Sequence, residues 1–154
     1  AATMHEAMAI FAPNANAFRR FTPNLFVPVN RRWGINNRST GLRIPAGEDD
    51  AMRIEHRVAG ADANPYLVLA AILIGMKHGL DNAIDPGPPH DGDASDFLDP
   101  TVPFEIMWAL EELQNSKVLR AALGVYVDVY AEAKRVEYKR FNATIPAHEH
   151  DWYL

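Results

Sequence analysis

The stretch that decides the fold is MRIEHRVAGADANPYL, residues 52–67. Apolar and charged residues alternate from Met52 to Val58, which predicts a strand because successive side chains of a strand point to opposite faces. One face of this predicted strand is mainly apolar and can join a core. The other face carries Arg53, Glu55 and Arg57. We therefore expect a strand that presents an Arg-Glu-Arg row.

A helix is predicted directly after this strand. Asn64 suits the N-cap, and Pro65 suits the first helical position, where its missing N–H costs nothing. Residues 66–77 are apolar almost all round, which predicts a deeply buried helix. Gly79 is the expected C-terminal stop.

The remaining chain divides into two parts. Residues 1–62 are expected to form a loop-and-strand part, irregular from Phe18 to Gly47 except for a brief strand at residues 42–44. Residues 63–154 are expected to be mainly helical. Their predicted elements after the first helix are a proline-rich loop and three helices, at Asp85–Pro103, Phe104–Asn115, Ser116–Leu123 and Val125–Phe141. Ser116 is expected to cap the second of these helices, and Gly124 is expected to end it. One apolar face is expected on the third, at Val125, Val129, Ala133 and Val136. Strands and loops followed by helices make the fold class α+β.

Length and composition indicate one folded domain. The chain has 154 residues, 48% hydrophobic and 23% charged, and no cysteine. Disulfides, thiolate metal sites and cysteine nucleophiles are therefore excluded. The longest apolar run, at residues 66–76, is too short to span a membrane, and no secretory signal is recognisable. A cytoplasmic protein is the expectation. The first residue is Ala1, which suits either a trimmed product or a piece of a longer protein.

Charge is distributed unevenly along the chain. Residues 1–57 hold eight arginines and five acids, and no lysine occurs before Lys77, although the whole chain has a net charge of −5. Arginine offers a planar set of donors that matches carboxylate and phosphate, so this half favours recognition of small anions. Surface charge without function is the alternative. The overall acidity argues against nucleic-acid binding.

The Arg-Glu-Arg row is the first candidate for chemistry. Glu55 could ligate a hard divalent ion while Arg53 and Arg57 hold the anionic groups that the ion neutralises. An ordinary surface ion-pair row is the alternative.

A second candidate lies in and beside the loop Gly34–Gly41. Arg38 and Arg43, together with backbone N–H groups of this loop, could cradle a phosphate. An ordinary turn with solvated arginines is the alternative. A metal site at His148 and His150 is less favoured than a solvated tail.

Five segments in series resemble the C-terminal half of the glutamine synthetase catalytic domain. They are Asn16–Phe21, Trp33–Ser39, Leu42–Pro45, Arg53–Arg57 and Ala63–Leu67. The resemblance covers essentially the whole chain. Around Phe26 and Trp33, and in the segment 141–154, the sequence looks most like the γ-glutamylpolyamine synthetase branch of that family.

The resemblance implies ligand-binding roles for six residues: glutamate binding for Arg20 and Arg57, contact with the transferring phosphate for Arg38, ATP binding for Arg43 and Arg53, and ligation of Mg²⁺ or Mn²⁺ for Glu55. The implied reaction phosphorylates the γ-carboxylate of glutamate with ATP, after which ammonia or an amine displaces the phosphate. Ammonia-using relatives carry a glutamate at the position of Phe26 and tend to carry a basic residue near Ala51-Met52. An apolar residue at position 26 favours a bulkier amine such as a polyamine.

The resemblance also implies what these 154 residues lack. The family's N-terminal β-domain, its paired metal-binding glutamates and its metal-binding histidine have no match, so Glu55 alone represents the metal ligands. We therefore expect the chain by itself to be inactive. Family members form two stacked hexameric rings, which implies a homo-oligomer. A non-catalytic assembly module and a separate phosphate- or nucleotide-binding module are the alternatives.

Overall fold

The computed structural model of this chain describes residues 1–153, and Leu154, at the end of the segment 141–154, lies outside them. Its strands are β1 (Trp33–Ile35), β2 (Leu42–Ile44) and β3 (Glu55–His56). Its α-helices are α1 (Met8–Phe11), α2 (Ala15–Phe18), α3 (Pro65–Asp81), α4 (Ile106–Asn115), α5 (Lys117–Leu123), α6 (Tyr126–Asn142) and α7 (Ala147–Tyr153). Short 3-10 helices lie at His5–Ala7 and Asp49–Ala51. The α+β class is confirmed.

The three strands form one small sheet in the order β1-β2-β3. β1 runs parallel to β2, and β2 runs antiparallel to β3. The register places Arg43 of β2 opposite Glu55 of β3. Residues that face each other across a ladder have their side chains on the same side of the sheet, so this register brings the two charges together.

The predicted strand at residues 52–58 is wrong in its extent. Only Glu55 and His56 are paired, and Met52 and Ile54 are 66% and 62% exposed rather than in a core. The reason is that β3 has only the short strand β2 to pair with, and β2 ends before Pro45, which has no N–H to donate.

The predicted start of α3 is confirmed, while two other expectations for this helix are wrong. The Asn64 side chain accepts hydrogen bonds from the N–H groups of Tyr66 and Leu67 at 3.0 and 3.4 Å, and proline occupies the first turn. The helix continues past Gly79 to Asp81, because a helical glycine costs only about 1 kcal/mol. Deep burial is also wrong: Ala71 is the one fully buried residue of α3 within the described chain.

The helices after α3 provide the other side of the core. The Ser116 hydroxyl caps α5 by accepting from the N–H of Leu119 at 3.0 Å, and α5 ends at Gly124 with a φ of +58°, both as predicted. In α6, Val127 and Ala131 face the core. The residues at the predicted apolar spacing are exposed instead: Val125, which precedes α6, and Val129, Ala133 and Val136 within it. Among residues 1–153 no helix is long and apolar enough to cross a membrane.

Candidate active site

Glu55 lies at the centre of a group of guanidinium groups. Arg43 Nη1 contacts Glu55 Oε2 at 2.8 Å, and Arg53 Nη2 contacts Glu55 Oε1 at 3.3 Å. The hydrogen bond from Arg43 is the main reason that the pKa of Glu55 lies below its ordinary value. Arg43 is fixed further by Asn36, whose side-chain oxygen accepts from its Nη2. The carboxylate therefore stays ionised and holds two arginines in place.

Arg57 joins this group from the end of β3. Its guanidinium donates to the carbonyl oxygens of Thr40 and Phe26, at 3.4 Å in each case. Burial lowers the pKa of Arg57, and the positive charges of Arg43 and Arg38 lower it further. We call Arg38, Arg43, Arg53 and Arg57 the arginine cluster. Two of these four guanidinium groups contact the carboxylate of Glu55, so the cluster has an excess of positive charge that an anion would neutralise.

Arg20 approaches the same end of β3 from the N-terminal segment. Its Nη2 donates to the carbonyl oxygen of Val58 at 2.9 Å, and its Nε donates to Ala17 at 3.2 Å. A Cβ added at Gly60 would lie 3.1 Å from Arg20 Nη2 and 2.6 Å from Asp62 Oδ1. A side chain at position 60 would therefore press on Asp62 and on Arg20, which reaches the backbone just after β3.

The loop between β1 and β2 differs in part from the predicted phosphate cradle. Gly34 belongs to β1, and a Cβ there would lie 2.9 Å from the carbonyl oxygen of His90. Backbone N–H groups of this region already donate within the chain: Ser39 to Asn37 at 2.9 Å, and Gly41 to Asn30 at 3.3 Å. Those two N–H groups are not available to a ligand, whereas the side chain of Arg38 is exposed.

Asn30 organises this loop and was not singled out from the sequence. It is 2% exposed and makes four hydrogen bonds, two as donor and two as acceptor. Its partners are the carbonyl oxygens of Ser39 and Ala94 and the N–H groups of Arg32 and Gly41. A single asparagine in a long irregular segment gives no signal by itself, because its partner Ala94 is distant in sequence.

The Phe26 side chain is 96% exposed, and the backbone carbonyl oxygen of Phe26 accepts a hydrogen bond from Arg57. The segment that carries Phe26 is attached to the loop at residues 85–103 through the N–H of Asn24, which donates to the carbonyl oxygen of Ser95 at 2.8 Å. Asn24 has a φ of +63°, which asparagine tolerates better than most residues. An apolar ring therefore projects into solvent beside the arginine cluster.

The described residues fit a phosphate-bearing ligand better than they fit a metal ion. Both oxygens of Glu55 already accept from arginines, and no group of three or more His, Asp and Glu side chains in residues 1–153 could hold a metal. Mg²⁺ needs about six oxygen ligands, so Glu55 can supply at most a small part of such a site. The arginine donors, by contrast, match phosphate oxygens directly.

The family described as glutamine synthetase, catalytic domain, matches residues 1–153. The chain belongs to this glutamine synthetase family. The gamma-glutamylputrescine synthetase of Escherichia coli is 42% identical over 152 residues, which cover 98% of this chain and 32% of that protein. A gamma-glutamylethanolamide synthetase of Streptomyces coelicolor is 34% identical, and a glutamine synthetase of Methanosarcina mazei is 32% identical; each covers 98% of this chain and 32% or 35% of the relative.

Solved structures agree with this assignment to the glutamine synthetase family. A structure of GmaS without ligand superposes with a TM-score of 0.81 at 28% identity, over 97% of this chain and 35% of that one. A GmaS complex with ADP superposes with a TM-score of 0.78 at 26% identity, over 99% of this chain and 37% of that one. The present chain thus spans about a third of the length of these relatives.

Proposed function

We propose that this chain provides the arginine-rich part of the active site of an ATP-dependent ligase that joins an amine to the γ-carboxylate of glutamate. The observation that supports this proposal best is the arginine cluster, in which two of the four guanidinium groups contact the carboxylate of Glu55 and the cluster keeps an excess of positive charge. Reactions that move a phosphoryl group need positioning and charge stabilisation more than covalent chemistry from the protein. On this proposal residues 1–62 bind the ligands, and residues 63–154 pack against residues 1–62 and hold them in place.

Each arginine then has a task that its position allows. Arg43 and Arg53, held by Glu55, contact the phosphates of ATP. Arg38 is exposed and close enough to Arg57 to affect its pKa, so it can contact the phosphoryl group as it passes to glutamate. Arg20 and Arg57 bind glutamate, whose carboxylates suit the planar donors of arginine. These arginines contribute by stabilising the negative charge of the phosphoryl group and of the substrate carboxylates.

Glu55 is proposed to be one of several ligands of Mg²⁺ or Mn²⁺. Such ions neutralise phosphate charge when they are bound. Since Glu55 cannot complete a metal site by itself, the remaining ligands have to come from other polypeptide. The 154 residues alone are therefore expected to be inactive, and a homo-oligomer is the expected form of the complete enzyme.

The amine is proposed to be a polyamine such as putrescine rather than ammonia. Phe26 supports this choice, since its exposed ring can cover the methylene chain of a longer amine, whereas an acidic residue would favour a small cation. Two of the relatives are named as synthetases of gamma-glutamyl amides, with putrescine and with ethanolamine.

A hybrid enzyme tests this proposal. The matched 152 residues of the Escherichia coli relative are replaced by this chain, and ADP release is measured with glutamate and either putrescine or ammonium. Turnover with putrescine and little with ammonium is expected. The variant Phe26→Glu should lower kcat/KM for putrescine by about tenfold, while the control Phe26→Leu keeps the apolar surface and should change it little.

Two results would contradict the proposal. Turnover by the hybrid that responds to ammonium and to no amine would remove the polyamine assignment. Measurable amide synthesis by the 154-residue chain alone would show that it does not depend on ligands from other polypeptide.

A further inference from the structure

The side chain of Asn37, directly before Arg38, uses its full hydrogen-bonding capacity. Its Nδ2 donates to the carbonyl oxygens of His90 and Gly92, at 3.0 and 2.8 Å. Its Oδ1 accepts from the backbone N–H of Ser39 at 2.9 Å and from the Ser39 hydroxyl at 2.7 Å. An asparagine amide has two donor hydrogens and two acceptor lone pairs, so all of them are engaged. The Asn37 amide therefore has one fixed orientation.

Ser39, directly after Arg38, makes a second attachment to the same distant segment. Its hydroxyl donates to Asn37 and accepts from the N–H of Ala94 at 2.8 Å. Arg38 thus lies between two side chains that are both hydrogen-bonded to residues 90–94. We call the side chains of Asn37 and Ser39, with their bonds to this segment, the Arg38 clamp.

Close packing fixes Asn37 in this position. A Cβ added at Gly34 would lie 2.8 Å from the Cβ of Asn37 and 2.9 Å from the carbonyl oxygen of His90. The hydroxyl of Thr40, which is fully buried, donates to the backbone carbonyl of Asn37 at 3.1 Å. Backbone and side chain of Asn37 are therefore both held, whereas the side chain of Arg38 is exposed.

We propose that Asn37 is a positioning residue that acts through Arg38. This role rests on the proposed function, in which Arg38 contacts the phosphoryl group as it passes to glutamate. A group that stabilises charge has to lie close to its productive position, and the residues behind it set that position. An exposed arginine on a loop gains such precision only when its backbone is fixed. The clamp fixes it on both sides, and residues 90–94 affect turnover through the clamp.

Stabilising the loop alone is the alternative role for Asn37. Its four hydrogen bonds would then contribute to the free energy of unfolding without a specific effect on Arg38. The geometry favours positioning, because the bonds start from the two residues that adjoin Arg38 and leave its own side chain exposed. Arg38 also lies close enough to Arg57 to lower its pKa, so a shift of this loop changes the charge distribution that a ligand meets.

A double-mutant cycle in the hybrid enzyme described above separates the two roles. Asn37→Ala should lower kcat with putrescine by about 30-fold, less than the roughly 100-fold that a misplacement of about 1 Å can cost. KM for ATP should change by less than about threefold, because Arg38 acts on the phosphoryl group in transit. In an Arg38→Ala background, measured at high enzyme concentration, Asn37→Ala should change the residual kcat by less than about threefold, since residues that act as one unit are not additive.

Two further variants serve as controls. Asn37→Asp keeps the acceptor but turns an oxygen toward the carbonyl oxygens of His90 and Gly92, so kcat should fall at least as far as with Asn37→Ala. Ser116→Ala is the stability control, because the hydroxyl of Ser116 also donates one hydrogen bond and accepts another, in the cap of α5. It should lower Tm and leave kcat unchanged. Additive losses in the cycle, or equal losses of kcat from Asn37→Ala and Ser116→Ala, would overturn the proposal.

Hydrogen exchange of the hybrid provides a measurement that does not need turnover. Asn37→Ala should speed exchange by about tenfold in peptides that contain Ser39 and Ala94, and leave the peptide that contains Leu119 unchanged. Unchanged exchange at Ser39 would show that Asn37 does not hold the loop and would overturn the proposal. A hybrid that turns over no amine, while Asn37→Ala still speeds exchange at Ser39, would support the clamp and contradict the proposed function.

Discussion

Replacing Asn30 should destabilise the protein more than any ordinary surface change, because this side chain holds two loops together. Its Nδ2 donates to the carbonyl oxygens of Ser39 and Ala94 at 3.0 and 3.2 Å. Its Oδ1 accepts from the N–H groups of Arg32 and Gly41 at 3.1 and 3.3 Å. Asn30→Ala removes all four hydrogen bonds at once and leaves four backbone groups without that partner.

The magnitude follows from how many of those groups water can reach. The bonds to Ala94 and Gly41 are buried, while those to Ser39 and Arg32 are partly buried. A buried polar group without a partner costs about 1–3 kcal/mol, and the partly buried groups can turn to water. We therefore expect Asn30→Ala to lower the free energy of unfolding by about 3 kcal/mol, a large share of the roughly 5–15 kcal/mol of an ordinary domain.

Urea unfolding of three variants measures this loss. Asn30→Asp keeps an acceptor for Gly41 but turns an oxygen toward the carbonyl of Ala94, so it should lose at least as much stability as Asn30→Ala. Asn115→Ala, at an exposed position at the end of α4, should change the free energy of unfolding by no more than about 0.5 kcal/mol. A loss below about 1 kcal/mol for Asn30→Ala would refute the reasoning, since the four hydrogen bonds would then contribute no more than one ordinary bond.

Two further predictions concern His56 and Gly60, which lie beside the candidate active site. Burial lowers the pKa of His56 from an ordinary 6.5 to about 4. As pH falls, the imidazole is therefore protonated in the unfolded chain before it is protonated in the folded chain. The free energy of unfolding should fall by about 3 kcal/mol between pH 6.5 and pH 4. His56→Phe should remove that part of the pH dependence in urea unfolding, and an unchanged pH profile would contradict the assignment. Gly60→Ala should lower the free energy of unfolding by about 1 kcal/mol, because the added Cβ would displace Asp62 and press on Arg20. Gly79→Ala in α3 is the control. No atom lies within 4 Å of its added Cβ, so it should raise the free energy of unfolding by up to about 1 kcal/mol. Equal changes in unfolding free energy for the two glycine variants would show that the contacts at position 60 do not matter.

Local chemistry made several elements predictable from the sequence. The helix starts at Asn64 and Ser116 depend on side chains that cap their own N–H groups, and the end at Gly124 depends on a positive φ that glycine adopts readily. The grouping of Arg53, Glu55 and Arg57 was also expected, although the strand that carries part of it is only two residues long.

The errors concern burial and partners rather than local chemistry. Met52 and Ile54 alternate like residues of a strand, yet they have no neighbouring strand beyond β2 and stay exposed. The apolar sequence of α3 predicts a buried helix, but one of its faces has nothing to pack against within residues 1–153. Periodicity indicates which residues could be buried, and only the presence of a packing partner decides whether they are.

The sequence by itself determined the fold class, the capped helices and the set of arginines available to bind anions, because these follow from local preferences and residue types. The tertiary structure alone decided that Arg43 faces Glu55, that Asn30 joins residues 39–41 to Ala94, and that Arg20 reaches Val58 beside Gly60. These contacts join residues that are 9 to 64 positions apart in the chain. Strand register and loop packing set such distances, and neither is encoded in any single stretch of sequence.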